Sequence, residues 1–91
     1  MADILLVHGS CHGAWCWEET LPLLNQMGHR ARAIDLPGHG ADTTPLTQVT
    51  LDAYAHSIID VLDQKTVLVG HSMGGYAIAA AARHAPEKVA Q

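Results

Sequence analysis

Apolar and polar positions along this chain fall into short blocks whose period keeps changing between that of a strand and that of a helix. Ile4-Leu5-Leu6-Val7 is a continuous apolar run closed by Gly9, the pattern of a strand buried on both faces of a parallel sheet. Trp15, Trp17, Leu21, Leu24 and Met27 gather toward one side of a helix from about Ala14 to Met27, with Gly28 as its stop and Pro22 as a kink or restart. Arg30 to Asp35 alternates and runs into Pro37-Gly38-His39-Gly40, which predicts a second strand, nearer a sheet edge, closing in a loop. Ala41 to Val49 is polar and aperiodic, a surface loop. Leu51, Tyr54, Ala55, Ile58 and Leu62 recur at helical spacing after Thr50, a natural N-cap, so a helix is expected to about Asp63. Thr66 to Val69 forms a third buried strand, and a third helix runs to about His84, stopped before Pro86. Alternating strands and helices imply an α/β architecture of three parallel strands with right-handed crossovers and helices on both faces. The economical strand order is 2-1-3, which reverses direction between the first and third strands and makes their carboxyl ends a switch point for ligands.

Two loops fall at that switch point. Gly70-His71-Ser72-Met73-Gly74 lies between the third strand and the third helix, the context in which Gly-x-Ser-x-Gly becomes a nucleophile elbow. Gly70 and Gly74 lack Cβ atoms, so strand and helix can close around a turn that holds Ser72 in a strained conformation at the helix N-terminus. His8-Gly9-Ser10 follows the first strand. Backbone N–H groups from that loop and from the residue after the nucleophile are what an oxyanion hole needs, so Ser10 and Met73 are the candidate donors. His8 is read as a brace for its turn, and His71, pointing away from the nucleophile, as support around the elbow. His29, His39 and His56 fall where solvated or capping histidines are ordinary. Only 19 residues follow Ser72, and they hold one histidine, His84, one acid, Glu87, and no aspartate. His84 lies twelve residues along the same helix, about 18 Å away, and cannot serve as the base.

Composition narrows the remaining classes. At 91 residues, 48% of them apolar, the chain is globular material shorter than a usual α/β domain. A net charge of −4 argues against nucleic acid or an anionic membrane surface as partner. No apolar stretch is long enough to span a bilayer, and the N-terminus enters a strand without a basic leader, so the cytoplasm is the expected location. Cys11 and Cys16 are too few for a disulfide scaffold and are read as reduced. The cluster His8, Cys11, His12 and Cys16 lacks paired ligand spacing, so no metal is expected. Asp35 is not preceded by a Gly-x-Gly-x-x-Gly loop, and no phosphate loop occurs, which argues against a nucleotide.

Val7-His8-Gly9-Ser10-Cys11-His12-Gly13-Ala14-Trp15, Gly28-His29, Asp35-Leu36-Pro37-Gly38-His39-Gly40 and Val69-Gly70-His71-Ser72-Met73-Gly74-Gly75 together resemble the N-terminal part of an α/β-hydrolase. More narrowly, they are similar to the branch holding plant methyl esterases, hydroxynitrile lyases and related bacterial esterases. The resemblance implies that residues 1–91 are the N-terminal part of a single hydrolase domain, with Ser72 as nucleophile and Ser10 and Met73 as the oxyanion hole. It also implies that the later strands, the cap, the acid and the catalytic histidine are absent, and it implies no cofactor. The similar lyases commonly carry Thr after the first-strand histidine and Glu before the nucleophile, where this chain has Gly9 and His71. A serine esterase acting on a small-molecule ester is therefore favoured over cyanohydrin cleavage. The third reading is a non-catalytic fragment or binding module. The expected partner is the remainder of the hydrolase domain or a second copy, because the third strand would present a bare apolar edge.

Overall fold

The computed structural model describes residues 2–91. Its elements, in chain order, are β1 (Asp3–Val7), α1 (Thr20–Gln26), β2 (Arg30–Ile34), α2 (Leu51–Asp60), β3 (Val67–Gly70) and α3 (Met73–His84), with 3-10 turns at Ala14–Trp17, Leu46–Gln48 and Pro86–Lys88. The three strands form one parallel sheet in the order β2-β1-β3, as the alternation predicted. Leu5 sits beside Arg32 on one side and Leu68 on the other, and Val7 lies between Ile34 and Gly70.

That register sorts the side chains. Leu5, Val7 and Leu68 face a core completed by Tyr54, Ala55, Ile58 and Leu62 from the α2 segment and by Ala77, Ala80 and Ala81 of α3. Alanines at three-residue and four-residue spacing let α3 approach both sheet and α2 closely. Leu6 points the other way and is also buried. The Ala14–Trp17 turn packs on β1 and β2, and α1 packs on β2. Thr50 caps α2, its Oγ1 accepting from the Ala53 N–H at 3.0 Å. Among the described residues no helix is long and apolar enough to cross a membrane.

Four expectations need correction. The helix expected over 14–27 is two pieces, a 3-10 turn and the seven-residue α1. Pro22 is the third residue of α1, where its missing N–H costs nothing. Within the loop 41–49, Leu46–Gln48 closes a 3-10 turn. The helix α2 stops at Asp60, since Val61 already leaves helical geometry. The outer edge of β3 is also not bare. The Thr66 N–H donates to Lys88 O, the Ala90 N–H to Thr66 O and the Leu68 N–H to Gln91 O, at 2.8–3.0 Å, so the last residues run parallel alongside it.

Candidate active site

Ser72 stands between β3 and α3 at φ 55° and ψ −118°, a region that side-chain-bearing residues avoid. The surrounding backbone enforces it. A Cβ on Gly70 would lie 2.5 Å from Gly74 O, and one on Gly74 would lie 2.5 Å from Val7 O and 2.6 Å from His8 O. The turn is tied by hydrogen bonds from the Gly74 N–H to His71 O (2.9 Å) and from the Gly75 N–H to Ser72 O (2.8 Å), while the His71 N–H extends the β1 ladder to Val7 O (3.0 Å). Ser72 is exposed, and its side chain makes no capping hydrogen bond to α3. The hydroxyl therefore projects from the first turn of a 12-residue helix, where unpaired N–H groups and the helix dipole favour developing negative charge.

The His8-Gly9-Ser10 loop packs directly on this turn, since a Cβ on Gly9 would meet His71 O at 3.0 Å, His71 Nδ1 at 3.1 Å and Ser72 Cβ at 3.3 Å. Ser10 is exposed. Neither the Ser10 nor the Met73 backbone N–H has a partner among the described residues. His8 is fully buried. Its Nε2 accepts from the Leu36 N–H at 3.0 Å, and its Nδ1 lies 2.7 Å from Gly9 O. Burial holds the imidazole below its ordinary pKa, against the opposing pull of the Gly9 carbonyl.

Other candidates are placed elsewhere. His84, at the far end of α3, has Nε2 3.5 Å from Asp52 Oδ1 and its ring beside His56, so it faces α2 and not the serine. His39 packs between His8 and Tyr54, with ring centroids 5.0 and 6.0 Å away, and His29 Nδ1 accepts from the Ala2 N–H. Both are half-buried. Beside the elbow a hollow of about 210 Å³ is lined by His12, Cys16, Trp17 and His71. Both cysteines are free, and burial pushes the Cys16 thiol up, away from thiolate. A hollow of about 240 Å³ between α2 and α3 is lined by Leu51, Tyr76, Ala79, Ala80 and Arg83 and by no serine, cysteine or histidine. Among the described residues no three His, Cys, Asp or Glu side chains gather to hold a metal.

Asp35 and His12 have roles that the sequence reading did not assign. Asp35 accepts from the Ala14 N–H through Oδ1 (2.7 Å) and from the Ala41 N–H through Oδ2 (3.1 Å), tying the turn after the Ser10 loop to the loop after β2. Gly13 sits close against the same carboxylate, so an acid flanked by glycine-rich turns was the available signal. His12 Nδ1 lies 2.8 Å from Ser10 O, with its ring stacked on Trp15.

Residues 4–90 match the model of the alpha/beta hydrolase family. Methylesterase 1 of Arabidopsis thaliana is 48% identical over 92 aligned residues, an overlap taking in 93% of this chain and 35% of that protein. Among solved structures, a methylesterase from Arabidopsis superposes with a TM-score of 0.87 at 32% identity, covering 98% of this chain and 40% of that one. A pyrethroid hydrolase from Sphingobium faniae JZ-2 superposes at 0.85 with 38% identity, covering 98% and 37%. These relatives are plant methylesterases and a pyrethroid hydrolase, and the methylesterase branch is the one that the sequence motifs implied. The chain spans about 35% of the length of the curated relative.

Proposed function

The chain belongs to the alpha/beta hydrolase family, and from that premise we propose that it is the nucleophile-bearing portion of a serine carboxylic-ester hydrolase. Ser72 Oγ attacks the ester carbonyl carbon, and the Ser10 and Met73 amides receive the oxyanion of the tetrahedral intermediate. Collapse breaks the C–O bond to the alcohol, which leaves with a proton, and water then releases the acid from the acyl-enzyme. The observation that carries this reading is the free hydroxyl of Ser72, held at φ 55° between two glycines that admit no side chain. A serine kept only as a helix cap would spend that oxygen on an N–H of the first turn.

The base that removes the Ser72 proton comes from outside these 91 residues, because His84 is engaged with Asp52 at the other end of α3. The partner in this reading is the remainder of the hydrolase domain, and the substrate is a small-molecule carboxylic ester, in keeping with the methylesterases among its relatives. Gly9 and His71 support ester hydrolysis over cyanohydrin cleavage. A larger residue at position 9 would press on His71, so the two positions are matched as a pair.

A fluorophosphonate probe tests the assignment. The 91 residues alone should label slowly, whereas the same segment within a full hydrolase domain should label at Ser72 and hydrolyse a short aryl ester. Ser72→Ala in the full domain should abolish both, and unchanged esterase turnover with alanine there would refute the nucleophile.

A further inference from the structure

The buried face of the Ser10 loop contains a device that goes beyond the assignment of donors. We propose that His8 is a positioning residue for the oxyanion hole, a single imidazole tautomer that anchors the Gly9 carbonyl inward and thereby turns the Ser10 N–H toward the space above Ser72. The inference rests on the reading of Ser72 and Ser10 given above.

A backbone N–H can only donate, so the Leu36 N–H, 3.0 Å from His8 Nε2, makes Nε2 an acceptor. In a neutral imidazole the proton then sits on Nδ1. Nδ1–H is 2.7 Å from Gly9 O, a short hydrogen bond to a carbonyl that also receives the His12 N–H at 3.3 Å. Both acceptor positions of that oxygen are thus occupied from the protein side.

The Gly9–Ser10 peptide is planar and trans, so its C=O and its N–H point in opposite directions. Fixing the oxygen against His8 and His12 fixes the Ser10 N–H facing away from them, where it has no partner among the described residues. Donation into the carbonyl also polarises the amide, which strengthens the N–H as a donor. An oxyanion hole depends on donors aimed before charge develops, and a fully buried side chain clamped at both nitrogens supplies that aim without touching substrate.

His39 lies against His8 with centroids 5.0 Å apart, and His39, Asp35 and His12 are the titratable groups acting on it. Burial, with His39 and His12 acting in the same sense, outweighs the Gly9 carbonyl and Asp35 and keeps the imidazole neutral, the state in which Nε2 can accept from Leu36. A protonated ring would set one N–H against another.

Two substitutions separate aiming from mere bracing. Asn at position 8 places an amide N–H near the Nδ1 position, and Gln places a carbonyl oxygen near Nε2. In the full hydrolase domain, His8→Gln should keep the Leu36 contact yet lose about tenfold or more in kcat with KM little changed, short of the ~10²–10³ that loss of a whole donor costs. Its Ki for a trifluoromethyl ketone, which forms an oxyanion on the serine, should rise in parallel. His8→Asn should recover kcat to within about threefold of the parent although Leu36 loses its acceptor. Equal losses in both variants that follow their Tm, or a Gln variant with parental kcat and Ki, would overturn the proposal. Should neither variant fold, long-range ¹⁵N–¹H spectra of the unsubstituted domain decide: Nδ1 protonated supports it and Nε2 protonated refutes it. Turnover persisting in Ser72→Ala would instead defeat the parent reading, whatever the His8 variants do.

Discussion

Gly74 and Gly75 are neighbours in the first turn of α3, yet their surroundings dictate opposite responses to the same substitution. A Cβ on Gly74 would sit 2.5 Å from Val7 O and 2.6 Å from His8 O, backbone atoms of β1 and its loop, whereas one on Gly75 meets nothing within 4 Å. Gly74→Ala must push α3 off the sheet end and displace the loop bearing Ser10, so it should destabilise by about 3 kcal/mol or more. Gly75→Ala removes unfolded-chain freedom at a helical position and should stabilise by about 0.5–1 kcal/mol. Urea midpoints of the two variants against the parent check both signs. This contrast shows what was legible at single residues. The need for glycine at 70 and 74 followed from the pentapeptide, and Ser72 at φ 55° is its consequence. The tautomer of His8 was not legible, because it is set by the Leu36 N–H, 28 residues away.

Elements with one unbroken period were readable from the sequence, and those fixed by a distant group were not. The runs Ile4–Val7 and Val67–Val69 and the helical spacing of Leu51, Tyr54, Ala55, Ile58 and Leu62 are local signals, and β1, β3 and α2 follow them within a few residues. The segment from Ala14 to Met27 can be drawn as one apolar helical face, but Trp15 and Met27 are exposed. What organises its start is the carboxylate of Asp35, which holds the Ala14 N–H. The pairing of Val89 to Gln91 along β3 was invisible for another reason: three residues are too few to show a period, and β3 itself is the template. Asp35 offers the test at this scale. Asp35→Ala deprives the half-buried Ala14 N–H and the exposed Ala41 N–H of one shared acceptor and should cost about 1.5–3 kcal/mol. Asp35→Asn, which keeps an acceptor for Ala14 but turns an N–H toward Ala41, should fall between. Thermal or urea unfolding in which Asp35→Ala matches the parent would show that the carboxylate is incidental.

For the molecule as a whole, the charges that respond to pH divide into two groups that act in different windows. Asp63 is held below the ordinary carboxylate range first by its hydrogen bond from Arg30, and Asp42 by hydrogen bonds from Thr44 and the Gly38 N–H. Asp63 is exposed and Asp42 only half-buried, so their effects are small and screened. Their contribution is present above the unfolded carboxylate pKa and fades as pH falls through the lower folded values. His8 behaves differently because burial disfavours its charged form. Below pH ~6.5 the unfolded chain takes up a proton on this imidazole while the folded chain does not, so the unfolded state binds more protons and stability rises with pH. The His8 contribution is therefore complete above ~6.5 and is lost as pH falls from there to the lowered folded value, below which this group causes no further change. Denaturant midpoints measured from about pH 8 down to about 4 should show a decline beginning near 6.5. His8→Asn, which cannot titrate, should start from lower stability at neutral pH because Leu36 loses its acceptor, and should lack that upper decline while keeping the acid one. A decline of unchanged size and position in His8→Asn would assign it to another histidine, and with it the claim that His8 is folded in its neutral form would fall.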